Sequence, residues 1–552
     1  TTIEFAQASN QLTEVYFAQE RYDEAWAAGR TAAALLFGQL PDDHADVLRT
    51  RNNLAALHLS QRGYLLAERL FRRNLVSLER MLGTSDARLI APLHNLSVCQ
   101  RQQRRYAQAE ANSQRALKIA QTRLMENHPL VAQSLIELGE IRLAIGAWSQ
   151  SERCFREALA IRRPRLSEKH PQLAKSLRML ADVLVHRGKW AEAEPLLDEA
   201  QRIFEEAFGP RHPQVALVLC AQARVCLGRG RIANADRLAQ MALLMQEELT
   251  PRRDALLSAT HRLLARIALA RKDVIGARRH STLAVRELDG AADTNDLDLA
   301  LAQLVDGETL AAAGEWPLAS AALQRASSML RALGDHLHPE LVTAYRLRAQ
   351  VALEGGDAQL ADRYANKGFR IANELPERTA PDMADLAAVL ARCAVEHGDN
   401  MAAESYSRQE LQLREGLVGT DHASLRPALL RCGDALIALN RTTEAEPFYQ
   451  RAMTLTEKMP GATPADISAC VERLARLQLL QQNFQAFRPW MQRALQLMDD
   501  EADPQATAKT AQKLDEFVGL LESAGLRDDA LQLAEEIASR RDRNMHVLGD
   551  LL

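Results

Sequence analysis

Polar and apolar positions recur along the chain with the period of a helix. In RRYAQAEANSQRAL (104–117), Tyr106, Ala109, Ser113 and Ala116 fall at i, i+3, i+7 and i+10, one stripe of an α-helix. The stripe returns at a fixed step. Tyr22, Tyr64, Tyr106, Trp148 and Trp190 stand 42 residues apart, and the frame continues through Ile232, Val274, Trp316, Ala358, Asn400, Thr442, Phe484 and Leu526. Three residues after each marker lies a small residue: Ala25, Ala67, Ala109, Ser151, Ala193, and on to Ala445. A second small column lies ten residues after it (Ala32, Ala116, Ala158, Ala200). A third lies nine before it (Thr13, Ala55, Ser97, Gly139, Ala181). Thirteen units hold this register without an insertion. Small residues at fixed places on two helices let them approach within about 8–10 Å, so each unit predicts a helix A packed on a helix B.

The breaks between the stripes agree. Gly63, Gly188, Gly230, Gly314, Gly356 and Gly398 stand at or near the A–B turn. His-Pro pairs at His128-Pro129, His170-Pro171, His212-Pro213 and His338-Pro339 open the A helices, where proline sacrifices no hydrogen bond. His44 and His422 share that column without the proline, and Pro381 keeps the proline without the histidine. Pro195, Pro447 and Pro489 share a column early in helix B, which predicts that they lie near its first turn.

GKWAEAEPLLDEA (188–200), RRYAQAEANSQRAL (104–117) and FGPRHPQVA (208–216) resemble the tetratricopeptide repeat in its 42-residue form, similar to kinesin light chains and their many bacterial relatives. The resemblance runs over essentially the whole chain. It implies an all-α, right-handed superhelical solenoid of about 13 antiparallel helix-turn-helix repeats, with a concave groove lined by the A helices that receives a peptide or a partner domain. Two continuous arrays are expected, 1–290 and 291–552, because units seven to nine are degenerate and GAADTNDLD (Gly290–Asp298) replaces the usual loop, as at a hinge. The thirteenth unit places Phe517, Asp529 and Glu536 where small residues are expected, which reads as a polar cap. The chain begins near the first A helix without Met, which leaves open a segment or domain before residue 1.

Composition narrows the function more than the fold. Aromatics are only 5% of the chain, which favours close-packed helices over strands. A net charge of −4 argues against a nucleic-acid partner. No apolar run is long enough to span a membrane. Cys99, Cys154, Cys220, Cys226, Cys393, Cys432 and Cys470 are odd in number, without a CxxC, and lie singly in helical patterns, which suggests a reducing, cytoplasmic setting. The sequence offers no catalytic motif and no cofactor motif, so no enzymatic activity is expected. His336 and His338 form HxH with no third ligand at metal spacing, and DTNDLD (293–298) lacks the Gly and Glu of a calcium loop.

The inward columns carry two candidate sites. One turn before the small residue of helix A stand Asn52, Asn53, His94 and Asn95, with Arg49 a turn earlier. An Asn amide both donates and accepts and is able to clamp peptide backbone. The family resemblance implies such a ladder at Asn52, Asn53 and Asn95, although Glu137, Met179 and Ala221 replace it in later units. The alternative is solvated asparagines with no partner. The second candidate is basic: Arg178, Arg224, Arg262, Arg266 and Arg346, followed by Arg392, are placed to receive an acidic partner, unless Glu140, Asp182 and Glu308 neutralise them as ordinary ion pairs. The expected function is a scaffold or adaptor that binds a peptide segment or partner domain. The other reading is a regulatory arm of a larger protease-like, NTPase or kinase protein whose catalytic part lies elsewhere.

Overall fold

The computed structural model describes residues 2–19, 21–249, 255–288, 296–333, 337–377, 380–459, 463–500, 512, 514–519, 521–522 and 526–549. The marker residues open the second helix of each pair. The pairs are α1 (Thr2–Ala18) with α2 (Tyr22–Leu36), α3 (Ala45–Ser60) with α4 (Tyr64–Leu82), α5 (Ile90–Gln102) with α6 (Tyr106–Arg123), and α7 (Pro129–Ala144) with α8 (Trp148–Arg162). They continue as α9 (Pro171–His186) with α10 (Trp190–Phe208), α11 (Pro213–Gly228) with α12 (Ile232–Leu249), α13 (Ala255–Ala270) with α14 (Val274–Arg286), and α15 (Asp296–Ala312) with α16 (Trp316–Ala332). Then come α17 (Glu340–Glu354) and α18 (Ala358–Glu374), α19 (Ala380–Glu396) and α20 (Asn400–Val418), α21 (Arg426–Ala438) and α22 (Thr442–Glu457), α23 (Pro464–Leu480) and α24 (Phe484–Asp500), and a last helix, Arg527–Gly549. Among the described residues there is no strand, only an isolated bridge between Phe37 and Leu40. No described helix is long and apolar enough to cross a membrane.

The chain divides into two compact units, Thr1–Leu347 with Ile371–Arg378, and Arg348–Arg370 with Thr379–Leu552. The seam expected at 290/291 and most of the candidate hinge fall in 289–295, outside the described residues, as does His336. Asp296 and Asp298 belong to the first turn of α15.

The small columns are the core. Ala25, Ala67, Ala109, Ala193, Ala235 and their equivalents are fully buried. They bring backbones together: Ser151 Oγ donates to the Gly139 carbonyl at 2.7 Å, and Ser97 Oγ to that of Ala109 at 3.0 Å. Where the column nine before the marker is glycine, a large side chain seven after the marker fills the space: Phe155, Leu323 and Tyr449. A Cβ on Gly139 would lie 2.7 Å from the Phe155 ring, and one on Gly433 would lie 2.2 Å from Tyr449.

The A–B turn demands a left-handed residue two before the marker. Arg62, Arg104, Gly146, Gly188, Gly230, Lys272, Gly314, Gly356, Gly398, Asn440 and Gln482 all have positive φ there. Five of these are not glycine, and each carries a Cβ penalty of about 1 kcal/mol. Lys272→Gly, at an exposed position with φ 61°, is therefore expected to raise stability by about 0.5–1 kcal/mol, read as a higher urea midpoint.

The His-Pro column is a capping column. In His44, His128, His170, His212, His338 and His422, Nδ1 accepts the N–H two residues on, at 3.1–3.2 Å. Asp86 occupies the same column and caps through its carboxylate at 2.9 Å. These side chains satisfy an N–H that the helix leaves without a partner, and the proline beside four of them removes another.

A further column locks unit to unit. Four residues after the marker an acid grips basic groups at the next A–B turn: Glu68 takes Arg105 at 2.8 Å, Glu152 takes Lys189 at 3.1 Å together with Arg187, Asp236 takes Arg271 at 2.7 Å, and Glu404 takes Arg441 at 2.9 Å.

Two expectations change. Pro195, Pro447 and Pro489 are the sixth residues of α10, α22 and α24, in the second turn and not the first. Each helix gives up one backbone bond there. Phe517 is not part of a polar cap: it is buried, its ring 6.1 Å from that of Phe487.

Candidate partner-binding face

Successive A helices face one another through a ladder of ion pairs. At the N-terminal end, Glu14 of α1 meets Arg49 of α3 at 2.6 Å. The hydrogen bonds from Arg49 hold the Glu14 carboxyl below its usual range, against the effect of burial. Asn53 is 8% exposed, and its Nδ2 donates to the Asn10 carbonyl at 3.4 Å and to Glu14 at 3.3 Å. His94 is also 8% exposed, its Nε2 is buried without a partner, and burial pushes its pKa down to about 4. Arg49 and Asn53 are thus already engaged within the fold, and His94 is buried in it. Asn52 and Asn95 differ: both are partly exposed, and among the described residues neither amide is hydrogen-bonded.

The basic columns converge farther along. Arg178 of α9, Arg224 of α11, and Arg262 and Arg266 of α13 line a cavity of about 610 Å³. Its walls are apolar, from Trp190, Leu217, Leu256, Leu263 and Val305. Arg346 is not among the lining residues. Arg392 lies in the other compact unit, 2.8 Å from Glu354.

Carboxylates of α9 and α15 already meet these arginines. Asp182 binds Arg178 at 2.8 Å and also Arg224; Asp298 lies 3.3 Å from Arg262, and Glu308 lies 3.4 Å from Arg266. One carboxylate shared by two guanidinium groups leaves donors over, since each guanidinium has several N–H groups in a planar fork. The Arg178 Nε is buried with no hydrogen-bond partner.

Two cavity residues had no signal in local spacing. His186 lies in the wall, stacked on Trp148 at 5.9 Å, and burial lowers its pKa. Glu340, the first residue of α17, also lines the cavity. Burial pushes its carboxyl up, but the charges around it, that of Arg266 first and that of Arg262 with it, outweigh this and hold it below its usual range.

The cysteines offer no competing chemistry. All seven are free, and burial pushes Cys99 and Cys432 up to about 12 and Cys393 up to about 11, so these thiols stay protonated. Among the described residues no group of three or more His, Cys, Asp or Glu is placed to hold a metal ion.

Tetratricopeptide-repeat family models match residues 47–87, 88–163, 168–248 and 428–463. No curated protein sequence matches the chain. Among solved structures, a Podosopora anserina protein of kinesin light chain nearly identical TPR-like repeats is 21% identical, over 37% of this chain and 96% of its own, with a TM-score of 0.33. BtubC (BKLC) from P. vanneervenii is 21% identical over 43% of this chain and 94% of its own, at 0.33. The apo form of RapI is 12% identical over 67% and 98%, at 0.46. The matched segments lie in the same frame as the observed helix pairs, and over those four segments the chain is built of tetratricopeptide repeats.

Proposed function

We propose that this repeat scaffold receives an acidic peptide segment in the cavity lined by Arg178, Arg224, Arg262 and Arg266. The observation that carries the reading is the convergence of four guanidinium groups from three successive A helices on one concave space. Its volume of about 610 Å³ suits a few side chains of a bound segment. Apolar walls beside a cationic rim favour a segment that alternates carboxylates with aliphatic residues. The charges set orientation and encounter rate, and the apolar contacts supply most of the affinity.

The test is fluorescence anisotropy with a fluorescein-labelled peptide alternating Glu and Leu, beside its Gln counterpart. The wild-type chain is expected to prefer the acidic peptide, and to lose that preference as salt rises. Arg262→Ala with Arg266→Ala is expected to weaken it at least about tenfold while helicity is retained. Equal affinity of the wild-type chain for the two peptides would sink the reading. The free amides of Asn52 and Asn95 support a second, smaller contact for peptide backbone. It predicts that Asn52→Leu with Asn95→Leu weakens the acidic and Gln peptides alike.

A further inference from the structure

The cavity already holds a carboxylate of its own chain, delivered by a corner that reaches across from a distant repeat. Between α16 and α17 the backbone turns at His338 and Pro339. Pro339 rests on Gly146, in the turn between α7 and α8: a Cβ on Gly146 would come within 2.8 Å of the Pro339 ring. Close by, the Ser149 N–H donates to the Glu377 carboxylate, 228 positions away in sequence. His338 lies within electrostatic reach of Arg104 and His186, and its Nδ1 caps α17 through the Glu340 N–H at 3.2 Å. Held in this way, the corner sets Glu340 among Arg262, Arg266 and His186 on the cavity wall.

We infer that the His338–Glu340 corner is a plug: Glu340 takes the place of an acidic partner's carboxylate, and the partner binds by displacing it. The inference rests on the reading of the cavity as a site for an acidic segment. Charge balance supports displacement over coexistence. Four arginines line the cavity, and three carboxylates, Asp182, Asp298 and Glu308, are paired with them; Glu340 supplies the fourth negative charge. A further carboxylate entering beside Glu340 meets a like charge at close range, which is unfavourable. Removing the Glu340 charge takes a carboxylate away from beside Arg262 and Arg266 and so favours an incoming anion. The corner rests on the α7–α8 turn through Pro339 on Gly146 and on the cavity through the charges around Glu340.

The experiment uses the full chain, the Glu/Leu peptide and its Gln counterpart, with wild type, Glu340→Gln and Gly146→Asn. Anisotropy gives affinity, and hydrogen exchange by mass spectrometry follows the segments spanning 338–345 and 144–150. Glu340→Gln is expected to bind the acidic peptide about tenfold more tightly than wild type, and to exchange faster in both segments before any peptide is added. Gly146→Asn, which tolerates the left-handed backbone and pushes Pro339 away with Glu340 intact, is expected to tighten binding in the same direction. In wild type, adding the acidic peptide is expected to speed exchange at 338–345. Equal or weaker binding by Glu340→Gln, while wild type still prefers the acidic peptide, overturns the plug and leaves the cavity reading standing. Loss of any preference for the acidic peptide in both proteins removes the cavity reading and the plug with it.

Discussion

Lowering the pH from about 7.5 to about 5 is expected to remove several kcal/mol of stability, before the carboxylates titrate. Three buried histidines set this window. Burial alone pushes His94 down to about 4. His261 is pushed to about 4 by burial, then by the charges of His280 and Arg279. Its Nδ1 faces the Nδ1 of His280 at 3.2 Å, so protonating both rings sets two donors face to face. Burial likewise pushes His338 to about 4, with Glu340 opposing and Arg104 and His186 adding to the fall. In the unfolded chain each titrates near 6.5. Between about 6.5 and 4 the unfolded state binds more protons than the folded one, so stability is fully present above that window and is lost as pH falls through it. At about pH 5 each histidine accounts for about 2 kcal/mol. Urea unfolding followed by circular dichroism at the two pH values measures the sum. His94→Leu removes one ring whose Nε2 is unsatisfied, and is expected both to flatten the pH profile by about a third and to raise stability near pH 7. A midpoint that does not move between these pH values would refute the account.

The fold was legible because its information is local and periodic. The marker, the turn and three small columns recur at a fixed step, and each column is a packing contact inside one unit: Gly139 against Phe155, Ser151 on the Gly139 carbonyl. The acidic column that locks neighbouring units is equally periodic, at Glu68, Glu110, Glu152 and Glu194. It was missed because acids on a helix flank look like solvated surface, and only the structure shows the basic side chains of the next turn folded over them. The candidate site was legible only in part. Column membership says which face of its own unit a residue occupies, which placed Arg178, Arg224, Arg262 and Arg266 inward. It does not say which distant units meet. Arg346 shares the column of Arg178 and Arg262 yet lies off the cavity, and Glu340 enters it because Pro339 reaches Gly146. Such a contact depends on small rotations summed over several repeats, which no local spacing encodes. His94 and Asn53 were misleading for a related reason: a polar residue on the inward side of one A helix is covered when the next A helix packs close beside it.

Glu152→Gln is expected to weaken the coupling between neighbouring repeats. The side chain is 7% exposed and meets three cations: Arg156 at 2.8 Å, Lys189 at 3.1 Å, and Arg187. Burial pushes its carboxyl up, but the hydrogen bonds from Arg156, Arg187 and Lys189 prevail and bring it down to about 2. Neutralising it leaves Arg187 and Lys189 crowded together without their counter-ion. Both keep some access to water, which moderates the loss to about 2–3 kcal/mol, below that of a fully enclosed pair. Because the depressed carboxyl titrates near 4.3 when unfolded, its contribution is fully present above that value and is lost as pH falls toward 2. The wild type and the variant should therefore converge in stability at about pH 2 and differ fully at pH 7. The position of the lock adds a second signature. It joins α8 to the turn between α9 and α10, so its loss falls on the coupling between neighbouring units and not on the core of either. In a linear array that coupling sets cooperativity. Urea unfolding of the variant at pH 7 is expected to show a lower midpoint together with a shallower slope. An unchanged slope beside a lowered midpoint would mean that Glu152 stabilises its own unit alone. A midpoint within about 0.5 kcal/mol of wild type would mean that the three cations are as well served by water as by the carboxylate.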